Sequence, residues 1–197
     1  MVQPKITRVE ALARIPEHFA NQISGFTNAL NRNVFIVAFR GYYQDTMGKP
    51  GVNDRGIYDD CMCVVAPNYF STFNANTDPS VYRDAVVGNR QGIATLVPGL
   101  HYFKKGKHGI SRPGGGYNAF RPATPDESLP VWRDGCGDTI YKGVAINIHR
   151  GGYNSTSSEG CQTVYPVQWN EFQTTVYDYM NRYKQDLLPY VLIDWKQ

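Results

Sequence analysis

Gly143-Val-Ala-Ile-Asn-Ile-His149-Arg-Gly-Gly-Tyr-Asn-Ser-Thr-Ser-Ser158-Glu-Gly160-Cys161-Gln-Thr163 is the segment from which the rest of the chain is read. Val144, Ile146 and Ile148 alternate with Ala145, Asn147 and His149, the period of two that marks a strand with one apolar face. The alternation predicts one strand over 143–149 that carries His149 on the side opposite the isoleucines. Gly151 and Gly152 then let the backbone turn or come close to a ligand. A loop of small hydroxyl-bearing residues follows, and Gly160 places a tight turn, with its backbone N–H groups, directly before Cys161. A histidine at the end of a rigid element and a cysteine on a glycine turn are the parts of a thiol nucleophile and its general base.

Outward from this segment, Val34–Phe39 reads as a buried strand and 57–65 as a second. The stretch 68–89, rich in Asn, Asp, Ser and Tyr, reads as loop with a short helical turn. Strands are predicted at 93–97 and 100–103, joined by a turn at Pro98-Gly99. The stretch 113–130 reads as irregular, with a short strand at 129–133 before the turn Asp134-Gly135. Downstream, Pro166 suits the first turn of a helix over 167–185, whose apolar stripe is Trp169, Phe172, Val176, Tyr179, Met180 and Tyr183. Residues 190–193 make a closing strand. At the other end, 5–30 predicts two helical pieces, one on Ile6, Val9, Leu12 and Ala13 and one on Phe19, Ile23, Phe26 and Leu30, with Pro16 opening the second. The expected architecture is α+β: a twisted, mostly antiparallel or barrel-like sheet, N-terminal helices and a long C-terminal helix. The expected division is an N-terminal helical segment, 1–32, packed on a catalytic domain, 33–197.

Bulk properties narrow the function. The chain has 197 residues, 42% of them hydrophobic, which suits one domain with a small appendage. A formal charge of +3 fits loose attraction to an anionic surface such as a bacterial envelope and makes no demand for nucleic acid. The densest basic run, Lys104-Lys105-Gly106-Lys107, reads as a solvated turn. No apolar stretch approaches the ~20 residues of a membrane span. The start, Met1-Val-Gln-Pro-Lys5, lacks a secretory pattern, so the protein is expected to stay in a cytoplasm until another protein releases it. Four cysteines, Cys61, Cys63, Cys136 and Cys161, are too few for a disulfide scaffold. Cys61 and Cys63 are spaced to share one strand face and read as small buried residues. No CxxC pair is present and the histidines are scattered, so no zinc site is expected. Phosphate loop, dinucleotide fingerprint and HExxH are all missing, so no cofactor is expected. Gly114-Gly-Gly116 reads as a flexible loop, with His108 and Arg112 either on its surface or bordering a substrate groove.

The elements Ile148-His149-x-Gly151 and Ser158-x-Gly160-Cys161 resemble the signature of the L,D-transpeptidase (YkuD-like) catalytic domain over 143–163. The resemblance implies a β-rich fold of that type and a cysteine acylated by a peptidoglycan stem peptide. The chain departs from the family pattern in three places. The loop between histidine and cysteine is shorter, and Glu159 stands where the family has a histidine. Gln162-Thr163 replaces an aliphatic residue and an arginine. Arg150 is the candidate for the missing positive charge. The segments 48–60, 73–80 and 147–163 also give the whole chain a resemblance to proteins of tailed bacteriophages. That resemblance implies an endolysin-like role, with the protein held in the host cytoplasm before lysis.

The expected function is therefore a cysteine-type peptidoglycan hydrolase, cutting an amide of the stem peptide or cross-link through a Cys161 thioester. His149 accepts the thiol proton or holds the thiolate as an ion pair, and the Gly160 and Cys161 amides hold the oxyanion. Ser158 binds the loop or orients His149; Asn147 or Tyr141 are further candidates for orienting the imidazole. Arg150, Gly151, Gly152, Gln162 and Asn147 are the candidate substrate contacts. Resolution by a second amine in place of water makes the same site an L,D-transpeptidase. A glycan-cleaving, lysozyme-like alternative takes Glu159 with Asp54, Asp59 or Asp60 as the carboxyl pair. A non-catalytic wall-binding or virion protein is the third reading, on fourteen tyrosines and three tryptophans. The expected partner is peptidoglycan, with no nucleic acid, no stable membrane insertion, no metal and a monomeric state.

Overall fold

Val34 to Phe39 is apolar on both faces, and that explains its place at the centre of the fold. In the computed structural model, which describes residues 1–23, 33–84, 92–111 and 113–196, this run forms β1 (Phe35–Arg40), buried along its whole length. One face, Ile36 and Ala38, joins the larger core with Met62, Val64, Phe73, Phe120 and Tyr190. The other face, Phe35, Val37 and Phe39, packs with Cys61, Cys63 and Val65 beneath the N-terminal helices.

The protein is α+β, with a closed barrel of eight strands. Around the barrel, β1 neighbours β11 (Leu188–Asp194), followed by β5 (Gly99–His108), β6 (Tyr117–Pro122), β9 (Ile148–Arg150), β10 (Gln162–Val164), β3 (Tyr69–Asn76) and β2 (Asp60–Ala66), which returns to β1. Pairing is antiparallel except for β1 with β11 and β9 with β10. A separate three-stranded sheet, β4 (Ala94–Leu96), β7 (Ser128–Arg133) and β8 (Tyr141–Val144), lies against the turn that carries Cys161.

The C-terminal helix α3 (Trp169–Arg182) buries Trp169, Phe172, Val176 and Met180 in the larger core. Phe172 meets Phe73 and Phe120 edge-on at 5.2 and 6.0 Å. The N-terminal segment with its short helices α1 (Arg8–Ala13) and α2 (Glu17–Gln22) lies on the outer face of β1 and β2 through Ala11 of α1 and the flanking Ile6, Ile15 and Ile23. Thr7 and Glu10 close a capping box at the start of α1.

Six expectations change. Lys104–Lys107, read as a solvated turn, lies within β5 and pairs with β6. Val9, assigned to the buried stripe of α1, is 77% exposed; Ala11 is the buried residue of that helix, and Ile15 beyond its end joins the same core. The stretch 68–89 holds a full strand, β3, whose Asn74 and Asn76 are buried. The stretch 113–130 holds β6. β4 and β5 do not pair with each other, because β4 belongs to the smaller sheet. The run 143–149 is two strands, because Ala145 adopts φ +57° and breaks the ladder between β8 and β9. The second half of the predicted N-terminal helices, with Phe26 and Leu30, lies outside the described residues.

Candidate active site

β9 and β10 run parallel, with Gln162 opposite Ile148 and Thr163 opposite His149. The Gln162 N–H donates to Asn147 O at 2.8 Å, which brings Cys161 level with Asn147. His149 is two residues further along, so imidazole and sulfur leave neighbouring strands on one side of the ladder, offset by ~6–7 Å along it. Both line one cavity of about 420 Å³, together with His108, Ala145, Ser157 and Glu159.

The orientation of the His149 ring follows from its partners. Nδ1 lies 2.7 Å from the Arg150 carbonyl oxygen. A carbonyl only accepts, so Nδ1 carries the hydrogen and the neutral ring offers Nε2 as a lone pair. The Tyr117 hydroxyl touches the same nitrogen at 3.4 Å and reaches Arg150 O at 3.3 Å. His108 stacks on the ring, centroids 3.8 Å apart and planes 13° from parallel. The two sequence candidates lie elsewhere. The Asn147 amide bonds Nδ1 of His108 at 3.2 Å, and Tyr141 pairs with Val131 in the small sheet and contacts Cys136.

Around the sulfur, the Asn147 N–H donates to Sγ at 3.4 Å and the thiol donates to Ala145 O at 3.5 Å. Burial pushes the thiol up to about 11; the Glu159 carboxylate adds to this, while the Asn147 N–H and Arg121 oppose it. A neutral thiol donating to a carbonyl suits proton transfer to His149 during attack better than a resting ion pair.

The turn before Cys161 is built by Ser158. Its Oγ donates to Cys161 O at 2.7 Å and accepts from Gly160 N at 3.0 Å, and its own N–H donates to Ser80 Oγ at 2.7 Å. The Gly160 N–H is therefore engaged with Ser158, and the N–H observed at the sulfur is that of Asn147. Gly160 itself sits at φ +125°, and a Cβ there would lie 2.7 Å from Ala94 O. Ala145 (φ +57°) and Ser157 (φ +56°) line the cavity in left-handed conformations, and Ala145 N donates at 2.9 Å to the carbonyl of Glu127, itself at φ +50°. Such geometry costs roughly 1–2 kcal/mol per residue and collects where a site dictates the backbone.

The other candidates divide between rim and interior. Glu159 is exposed, at the cavity mouth, 3.7 Å from Arg83. Arg150 is exposed and lies over the Tyr117 ring at 5.2 Å. Gly151 and Gly152 serve packing: a Cβ on Gly151 would strike the Tyr58 hydroxyl, which donates to Gly152 O at 2.6 Å. Gln162 faces the interior, bonding Thr77 O and Gly160 O at 3.2 Å and accepting from Tyr190 at 2.8 Å. Asp59 and Asp60 are fully buried; Asp60 accepts from Thr77 N at 2.6 Å and Asp59 from Asp54 N at 2.8 Å. Burial pushes Asp59 up to about 7 and Asp60 well above the carboxylate range. Arg112 lies outside the described residues. Among the described residues, no group of three or more His, Cys, Asp or Glu side chains is placed to hold a metal ion, and no helix is long and apolar enough to cross a membrane.

Tyr117 and Arg121 escape the sequence reading because both come from β6, read there as irregular. The available signal was the alternation of Tyr117, Ala119 and Arg121 with Asn118 and Phe120. Comparison with protein-family models, with curated proteins and with solved structures gives no match to this chain.

Proposed function

We propose that this protein is a cysteine-dependent peptidoglycan hydrolase that cleaves an amide of the stem peptide or cross-link. The observation that carries this reading is the pairing of β9 with β10, which sets His149 and Cys161 in one cavity with Nδ1–H of the ring tied to Arg150 O. Nε2 of His149 takes the thiol proton as Sγ attacks the amide carbonyl, and the protonated ring then passes that proton to the leaving amine. The Asn147 N–H, already aimed at the sulfur, is placed to meet the oxyanion. The product is a thioester on Cys161, which water attacks while His149 again takes a proton. An amine in place of water gives a transpeptidase from the same site. The L,D-transpeptidase resemblance of 143–163 supports a wall peptide as substrate. The phage resemblance supports an endolysin-like setting, with the protein in the host cytoplasm until lysis. The glycan-cleaving alternative has less support, because Asp59 and Asp60 are buried and hydrogen-bonded away from the exposed Glu159.

The test is digestion of purified peptidoglycan with scoring of new amines and new reducing ends. The reading expects amines from the wild type and none from Cys161→Ala. Reducing ends without amines, or an active Cys161→Ala, would reject it.

A further inference from the structure

A second groove, about 590 Å³, opens beside the thiol cavity and shares His108 and Ala145 with it; Gly109, Ile110, Ser111, Arg121 and Asn147 complete its described wall. Among the described lining residues Arg121 is the one arginine or lysine, and three features hold that side chain in place. Its stem crosses Gly106, where a Cβ would lie 2.7 Å from the arginine Cδ. Its Nη1 donates to Lys107 O at 3.2 Å, so the guanidinium is carried along β5 toward His108. Its Nε donates to Glu127 at 2.9 Å.

The local charge does not cancel. Lys104, opposite Arg121 in the β5–β6 ladder, lies 3.2 Å from the other oxygen of the same Glu127 carboxylate. Arg121, followed by Lys104, holds Glu127 down at about 2, so the carboxylate is ionised at any working pH. Two cations face one anion, and one positive charge is left on the wall of the groove. The sulfur feels Arg121, which eases formation of the Cys161 thiolate against the larger opposing effect of Glu159 at the mouth of the neighbouring cavity. Arg150, the sequence candidate for this charge, stacks on Tyr117 and is absent from the lining of both cavities.

We infer that Arg121 reads a free carboxylate carried by the substrate peptide beside the scissile amide, with the Asn147 and Ser111 side chains as neighbouring polar contacts. This rests on the reading of Cys161 as the acyl acceptor. It makes the enzyme selective for peptides with a free carboxylate over the same peptides amidated at that position.

The test separates the subsite from the reaction. Cys161 of the intact protein is alkylated with iodoacetate and, in parallel, with iodoacetamide at the same pH, and its modification is followed by peptide mass spectrometry. The ratio of the two rates cancels the thiolate fraction and reports the field at the sulfur. Arg121→Gln is expected to lower the iodoacetate-to-iodoacetamide ratio about fivefold, and Arg121→Lys to keep most of it. Glu127→Gln is expected to raise it, a sign that damage to the fold does not produce. The exposed charge change Lys196→Gln, at a lysine paired with Asp45 and absent from the lining of both cavities, is the control. An unchanged ratio in Arg121→Gln overturns the inference, as does a fall in Arg150→Gln instead. A Cys161 that neither reagent reaches overturns it too. Should the ratios behave as stated while peptidoglycan yields no amines, the hydrolase reading falls and the anion subsite stands.

Discussion

His108 lies face to face with His149, 3.8 Å between ring centroids, and is itself held by the Asn147 side chain at 3.2 Å. The stack fixes the plane of His149, while the Arg150 carbonyl fixes its rotation within that plane. Loss of His149 itself, as His149→Ala, is expected to lower kcat by about 10²–10⁴. His108→Ala is expected to lower kcat about tenfold with little change in KM, and His108→Phe, which keeps a flat ring in the stack, to retain more. Steady-state kinetics on a defined muropeptide checks all three. A larger loss in His108→Phe than in His108→Ala would contradict a stacking role.

The thiol gives a pH prediction with a definite sign. Burial disfavours the thiolate and pushes Cys161 up to about 11, so the group is protonated throughout the neutral range. Its alkylation by iodoacetamide is expected to rise about tenfold per pH unit between roughly 7 and 10, without a neutral plateau. A plateau near pH 7 would mean a preformed ion pair with His149. The same shift links to stability: a folded value above the usual 9.0 contributes stability that is complete below that pH and is lost as pH climbs through about 11.

Asp59 shapes stability in a lower range. Burial raises it from 3.8 to about 7, against the pull of the Asp54 N–H; Asp78 adds to the rise. The folded state therefore keeps a proton that the unfolded chain releases, and stability falls as pH rises from about 4 through 7, by at most ~1.4 kcal/mol per pH unit. Asp59→Asn is expected to flatten that limb of the thermal-unfolding profile, and an unaltered limb would assign the effect elsewhere.

Gly160 is expected to tolerate no side chain. Gly160→Ala combines a φ of +125° with a contact of 2.7 Å to Ala94 O, and the loss should exceed about 2 kcal/mol in denaturant unfolding. Gly137→Ala, at φ +59° with nothing within 4 Å of the new atom, should cost less, near 1 kcal/mol.

In the larger core, Phe172→Ala removes a fully buried ring that touches Phe73 and Phe120. A loss of about 3–5 kcal/mol is expected, seen as a lower denaturation midpoint at unchanged slope.

The legible parts of the fold are those where one rule governs a whole element. β1, β2, β11 and α3 are apolar runs or stripes, and their burial follows from composition. β3 is hidden because its Asn74 serves tertiary partners, accepting from Gln168 at 3.2 Å while its N–H donates to the same residue at 2.8 Å; such residues look like loop in one dimension. β6 is hidden because it carries the site's polar side chains, Tyr117 and Arg121, on a strand surrounded by glycine and proline. The run 143–149 misleads for the opposite reason: its alternation is regular, and the break at Ala145 comes from a left-handed residue that no composition rule marks. Cys161, His149 and the Ser158-Glu-Gly160 turn are readable because their spacing survives in the local backbone. Tyr117, His108 and Arg121 come from strands distant in the chain, and only barrel closure brings them in.

The eleven residues 151–161 return the chain from the end of β9 to the start of β10 without a helix, and they are tethered at one end by Gly151 to Val164 and at the other by Thr156 and Ser158 to Ser80. Between these moorings Tyr153, Asn154 and Ser155 face solvent. Sulfur and imidazole take their spacing from the β9–β10 pairing and the Ser158 turn, neither of which includes this outward crest, so changes there are expected to redraw the entrance and leave that spacing in place. On the proposed hydrolase reading, new substrate preferences can be grafted there without rebuilding the chemistry.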